Sequence, residues 1–478
     1  MREKRLRAVI LVSWFLAILM MPAAVLADSE TGAVHEIYPS GDTTGQTDGD
    51  VIQAAVDTAF PGDTILLKAG TFYLGKYLET DESWVSTSRG TFQFLTELVP
   101  HTLRSELNPY WDIYGGYEGP SPPFPQWIVI DKPLVILGEN LADSDDPADR
   151  TVITVAHSWL DEGWSLNADM NGFVVCSSEV IIKNLEIYNM VYGIWILSAG
   201  TTTKDCIFRD CGHYAFNFVM DDYSVYPEYP EYIHPVKSYV IGNKWLNVPD
   251  GMHMYSSEVL VADNYFKLRK PFPLPVDDFT FPAITFGGLW DIPSLHDIFS
   301  QSLCRNNLVM NNVVEGDIDS GLPAFYFSGW GPPVLDNTIA QNTVRNMLAM
   351  VGSWGSVQVE RNIIAFNVAE GCGNNPWYPG YGIAMAGFSH IPKDNVISFN
   401  QFIDTHNPMF IDAGEGNWLM LNDYRDSGCP GWDYGLGCVY LGYMTSNNFV
   451  LERLFPATTT ISDQVLDLGE ENRVVRMP

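Results

Sequence analysis

The chain has 478 residues, with 26 Lys and Arg against 58 Asp and Glu, for a formal net charge of −32. A surface this acidic argues against nucleic acid or an anionic membrane as partner. It also disfavours a polyanionic glycan unless calcium or a local basic patch intervenes. The length admits two or three domains, or one repetitive all-β domain.

The first predicted element is a leader. Arg2, Lys4, Arg5 and Arg7 precede an apolar stretch from Ala8 to Met21, Pro22 breaks it, and small residues lead to Asp28. This reads as a secretory signal covering residues 1–27, so that residues 28–478 form the exported domain. An uncut anchor is the alternative, but the stretch is short for a membrane span. Loss of the leader removes four positive side chains and one negative, taking the formal charge from −32 to −35. All seven Cys lie in the exported part, and an odd count leaves at least one unpaired. Cys429 and Cys438, flanking the turn-rich "CPGWDYGLGC", are the expected disulfide. Cys206 and Cys211 either pair or serve as small buried side chains.

A cap helix is expected over about residues 50–60, with Ile52, Ala55, Val56, Ala59 and Phe60 on one apolar face. Asp50 is placed to cap its start and Pro61-Gly62 to stop it. "TILLKAGTFYL" and "IVIDKPLVILGEN" then read as strands. Downstream, "SSEVIIKN" at 177–184 returns as "SSEVLVADN" at 256–264. Both fit a template with an apolar residue at i−3, Asn at i, and often an apolar residue at i+2. Val240/Asn243/Trp245, Val261/Asn264/Phe266 and Val309/Asn312/Val314 follow it. So do Ile339/Asn342/Val344, Val359/Asn362/Ile364 and Ile397/Asn400/Phe402, while Asn184 and Asp205 match in part. Three steps, 184 to 205, 243 to 264 and 342 to 362, are 20 or 21 residues.

After each Asn comes a small residue, an apolar alternation and a Gly or Ser: "GIWILS", "AFNFVM", "GMHMYS", "AITFGG", "AFYFSG", "GIAMAG". "MLAMVGS" and "PMFIDAG" read as degraded copies. Strict alternation is a strand with one buried face. Short strands repeated at this spacing bury their apolar side only by stacking as coils around one core. Asn suits the corner, because it tolerates left-handed backbone angles and its amide can bond to the equivalent Asn in the next coil.

These residues, with "DGDVIQAAVDTAFPGDTILLKAGTFYL" at 48–74, resemble a single-stranded right-handed parallel β-helix of the pectate-lyase-like superfamily. The resemblance implies an all-β solenoid with an N-terminal helical cap, and a substrate groove on the parallel sheet beside the large loops. It names no activity, since this fold carries lyases, hydrolases, epimerases and non-catalytic proteins. A β-sandwich or propeller fits the 20-residue beat poorly.

Insertions are expected at about 75–126, 220–238, 267–303, 371–381 and 422–443, most of them rich in Tyr, Trp, Phe and Pro. In the alternating strands, Ile194 and Ile196 point inward, so Trp195 points out. The same register sets Asn217, His253, Thr285 and Tyr326 outside, with Ala384 in a later coil. Coils about 4.8 Å apart make these five positions a strip of roughly 20 Å, the length of a few sugar rings. Its aromatic and hydrogen-bonding groups suit an extracellular polysaccharide. The alternative is an insertion folded over Trp195 and Tyr326 as a secondary core.

Candidate catalytic residues are few. Asp250 beside His253 in "NVPDGMHMY" offers a carboxylate and an imidazole as acid and base. Arg269, next to Lys270 and near Asp277 and Asp278, offers the base and the calcium ligands that a lyase needs. The paired-Asp corner and "GHG" turn of the polygalacturonase branch are missing, since "MDDY" falls in an insertion. "DSDDPADR" at 143–150 lacks the spacing of a calcium loop. No motif fixes a metal, and calcium is the one cofactor left open. The reading is thus a secreted carbohydrate-active β-helix, a lyase or a glycoside hydrolase if catalytic. The alternative is a non-catalytic glycan-binding or structural protein of the cell surface.

Overall fold

Runs of three to eight alternating residues, each too short to bury its own apolar side, pair in parallel with the equivalent run one coil away. In this computed structural model the described residues are 32–477, apart from 46, 75–127, 156–170, 176, 191, 197–199, 212–215, 219–236, 255, 270–281, 287–303, 317–321, 330–332, 356–357, 374–379, 388–389, 428–437 and 454–464. The expected leader and most of each expected insertion lie outside them, while the expected insertion over 267–303 contains a described strand, Ile284–Phe286. The described strands form three long parallel sheets of 14, 11 and 12 strands and a small three-stranded one. The chain visits the long sheets in turn, coil after coil, as a right-handed parallel β-helix. We call them the first, second and third sheets in the order that one coil meets them. No helix among the described residues is long and apolar enough to cross a membrane.

Inward residues stack into rows along the axis. Phe208, Trp245 and Phe266 lie on successive coils with ring centroids 4.9 and 4.3 Å apart, and all three are fully buried. The helix expected at the N-terminus spans Asp48–Thr58 and buries Ile52, Val56 and the following Ala59 in the same core. Two details differ from expectation. Phe60 is 75% exposed, because the chain turns away at Ala59, whose backbone is extended. Asp50 is not the cap, and the Asp48 carboxylate instead accepts from the amides of Ser40 and Tyr73, both at 2.8 Å. Gln53 carries out a task that its sequence position does not announce. Its side-chain amide bonds both the N–H (2.8 Å) and the C=O (3.1 Å) of Val129 in Ile128–Ile130, the terminal strand of the third sheet. One side chain thereby satisfies an edge that would otherwise stand open.

The corner between first and second sheets is a tight turn holding a continuous amide ladder: Asn243, Asn264, Asn312, Asn342, Asn367, Asn400 and Asn422. Each Asn side chain reaches the next at 2.9–3.1 Å and donates to a backbone carbonyl of the preceding coil. A second ladder, Asn307–Asn337–Asn362–Asn395–Asn417–Asn448–Asn472, lines the approach to the first sheet.

Three expectations are corrected here. The left-handed backbone falls mainly on the residue before the ladder position, such as Asp263 (φ 58), Gln341 (φ 58) or Phe399 (φ 56). Asn184 and Asp205 are themselves such residues, so the ladder positions of their coils are Leu185 and Cys206. That one-residue slip explains why both fitted the template only in part. Finally, Asn342 and Asn362 are on different ladders. The true successor of Asn342 is Asn367, 25 residues on, and the apparent 20-residue step was not a coil.

Glu452 ends the first ladder. It is buried and accepts from the Asn422 amide (2.8 Å), the Asn422 side chain (2.9 Å) and the Tyr424 hydroxyl (2.9 Å). Burial pushes its carboxyl up to about 7, against the pull of those three donors.

Cys206 and Cys211 are both free thiols, serving as buried corner residues. Their sulfurs lie 3.7 and 3.4 Å from carbonyls of the preceding coil, at Ile182 and Ile187. Cys438 is also a free, half-buried thiol rather than half of the expected disulfide, and Cys429 lies outside the described residues. No disulfide occurs among the described residues.

Candidate functional site

The third sheet sets the candidate strip in register. Trp195 pairs with Asn217, Asn217 with His253, His253 with Thr285, and Thr285 with Tyr326. The row then continues through Gly352, Ala384, Phe410 and Tyr440. The flanking residues Met252, Met254, Ile284 and Phe286 are fully buried in the core, so alternation turns His253 and Thr285 to the outer face.

That face is covered rather than open at its middle. His253 is 2% exposed, Thr285 1% and Tyr326 4%. Alternation could give the direction of these side chains but not their exposure, which depends on what lies across the coils. Among the described residues the Thr285 hydroxyl has no hydrogen-bond partner. An orphaned buried hydroxyl is costly unless something outside the protein meets it.

Asp250 stands at the corner that feeds Met252–Met254, wholly buried, with Oδ2 2.9 Å from Nε2 of His253. The turn between them requires Gly251. A Cβ there would come within 2.3 Å of the Ala283 carbonyl oxygen in the next coil. The small residue before each alternating run is thus a matter of close coil-to-coil approach. The expected pairing of Asp250 with His253 is therefore present as a contact inside the protein.

Arg269 does not join them by any described contact. It follows Tyr265–Leu268 in the second sheet, exposed, with its amide bonded to Val248 O (2.9 Å), one coil beyond the Asp250 corner. Lys270, Asp277, Asp278, and Asp221–Asp222 of "MDDY" lie outside the described residues. Among the described residues no cluster of three or more His, Cys, Asp or Glu is arranged to hold a metal. In "DSDDPADR", Asp143 pairs with Lys244 at 2.7 Å and Asp146 accepts from the Ala148 amide at 2.9 Å.

Sequence reasoning missed the far end of the row. Phe410 and Tyr440 stack at 4.8 Å with planes 9° apart, and Tyr381 leans on Phe410 at 4.6 Å, all three half-buried. Phe410 belongs to "PMFIDAG", a degraded copy whose alternation, read in register, would have found it. Burial raises the Tyr381 hydroxyl pKa, and the nearby Asp412 and Tyr440 add to the shift. Rings stacked at the coil spacing bury their faces in one another, which leaves mainly edges for a ligand.

The long connections are rooted at both margins of this sheet. Residues 75–127, 270–281 and 428–437 lead into third-sheet strands, and 219–236 and 287–303 lead out of them. The corner between first and second sheets carries one comparable connection, residues 139–150 between Val135–Gly138 and Thr151–Val155, and is tight in the other coils.

No family model matches the chain, and no curated protein matches it. Similar solved structures share the β-helical winding at low identity. A mannuronic-acid-specific polysaccharide family 6 lyase from the human gut microbiota is 12% identical, with 93% of this chain and 91% of that one covered, at a TM-score of 0.39. DFA-IIIase from Arthrobacter chlorophenolicus A6 is 13% identical, with 94% and 100% covered, at 0.40. The tailspike of Escherichia coli bacteriophage HK620, in complex with a pentasaccharide, is 11% identical, with 87% and 68% covered, at 0.46.

Proposed function

We propose that the protein is an exported, carbohydrate-active β-helix that binds an extracellular polysaccharide along the outer face of the third sheet. Asp250 and His253 serve as its acid–base pair. The observation that carries this reading is the unbroken register of Trp195, Asn217, His253, Thr285 and Tyr326 on a sheet whose two margins root the long insertions. Five steps at the coil spacing span roughly 20 Å, enough for several sugar units. The unpartnered Thr285 hydroxyl beside His253 adds a group that a sugar hydroxyl would satisfy. With so little of the pair exposed, substrate reaches it only when the cover over the strip is displaced.

A second reading is favoured by one observation, the near-complete burial of Asp250 and His253. It makes the pair a core contact and the protein a non-catalytic glycan binder or structural element. Incubating the purified protein with neutral and uronate glycans, with and without calcium, separates the readings. Unsaturated products mark a lyase, new reducing ends alone a hydrolase, and retardation in a glycan gel without product a binder. If Asp250→Asn and His253→Gln fold normally and leave turnover unchanged, the acid–base assignment is wrong.

A further inference from the structure

The three long sheets present different outer faces. The second carries charge ladders, as in Glu315–Arg345–Glu370, linked at 3.0 Å each. The third is covered at its middle. The outward positions of the first sheet, from Tyr239 and Ile241 to Phe449 and Leu451, carry no charged residue across eight successive strands until Arg453 at the end of the last. Thr338 and Ser398 are the exceptions to an apolar or aromatic lining. Trp418, Met420 and Phe449 are half-buried, with the Trp418 and Phe449 rings 5.2 Å apart and the Arg473 guanidinium 5.8 Å from the Phe449 ring. Charge returns beyond both ends, at Lys204 and at Arg473.

The corner row bordering this band adds an independent sign. Phe366 (φ 58) and Phe399 (φ 56) hold left-handed backbone, 38% and 45% exposed, with rings stacked at 4.9 Å. A bulky side chain at positive φ is costly, and exposing it to water gains little within the chain. Equivalent positions in other coils hold Gly242, Asp263 and Asn311, which suit that backbone, and Gln341 and Leu421, which do not.

We propose that this face is where two copies of the chain associate. Eight strands at the coil spacing, about 38 Å, by about 15 Å across sheet and corner give roughly 600 Å² per partner. That is the lower bound for a stable pair. A straight apolar band of this length needs another opposite it, and the chain itself supplies one that is self-complementary about a two-fold axis. The formal charge of −32 disfavours anionic lipid, and a basic partner would be drawn to the acidic surfaces rather than to an uncharged one. Two such acidic chains repel at long range, so salt strengthens the pairing by screening.

The test is sedimentation equilibrium of the purified full chain from low to high micromolar concentration, at low and at moderate salt. The expected result is a reversible monomer–dimer equilibrium with at least threefold tighter association at the higher salt. Trp418→Lys should weaken it tenfold or more. Phe399→Asn should weaken it severalfold while leaving thermal unfolding unchanged or improved, since Asn accepts left-handed backbone. A monomer at both salts overturns the proposal, whether the face stays bare or is covered by another part of the same chain. So does a dimer whose association neither substitution changes.

Discussion

Replacing Asn342 by Ala tests the amide ladder at its centre. The Asn342 oxygen accepts from the backbone N–H of Asn312 and from its side-chain amide, both at 2.9 Å. Its own amide donates to Val309 O (3.0 Å) and to the oxygen of Asn367 (3.0 Å). Truncation therefore strands two buried donors on Asn312 and takes a donor from Val309, at a site with no solvent exposure. At about 1–3 kcal/mol per buried unsatisfied group, softened where water enters, the loss should be about 3–5 kcal/mol. For a chain this long, melting as one unit, that is a fall of about 3–5 °C in the midpoint. Asn472→Ala, at the half-buried end of the other ladder, should cost about 1 kcal/mol or less. Urea unfolding followed by circular dichroism on both variants provides the comparison. Equal losses, or a loss below about 1 kcal/mol at Asn342, would refute the view that the ladder is a connected, desolvated network.

Three further outcomes are expected. Burial raises the Glu452 carboxyl from its ordinary 4.5 to about 7, so the folded state disfavours its ionised form. Its contribution to stability should be fully present below about pH 4.5 and be lost, by roughly 3 kcal/mol at most, as pH rises from there through 7. Urea midpoints at pH 5 and 8 read this difference, and Glu452→Gln should flatten it. Burial also pushes the thiols of Cys206, Cys211 and Cys372 to about 12, so native protein treated with a maleimide at pH 8 should leave all three unmodified by peptide mapping, with half-buried Cys438 reacting ahead of them. Gly251→Val drives a side chain against the Ala283 carbonyl and should lower the melting midpoint, whereas the same change at Gly41, which has open space around it, meets only backbone strain.

Much of the fold was legible because period-two alternation is a local signal. It gave the row from Trp195 to Tyr326 with the pairing that the sheet has. The corners were read less well. A template keyed on Asn could not see that Leu185 and Cys206 occupy ladder positions, since both fill the space without an amide. Nor could it separate two ladders that use the same residue at neighbouring corners. The candidate site was legible in register but not in burial, because alternation gives the direction of the His253 side chain and not what lies against it. Gln53 was invisible for a related reason. A glutamine on a helix says nothing of the strand it will meet 76 residues later.

That glutamine bears on how the solenoid begins. Parallel coils present the same hydrogen-bonding comb at every level, so a bare terminal rung would recruit any extended segment, including one from another molecule. By answering the comb with a side chain rather than with backbone, the helix closes the third sheet's end strand at Val129. A mutant lacking this plug, Gln53→Val for instance, should retain its coils yet bare the backbone of Val129, and light scattering should show more self-association than in the parent.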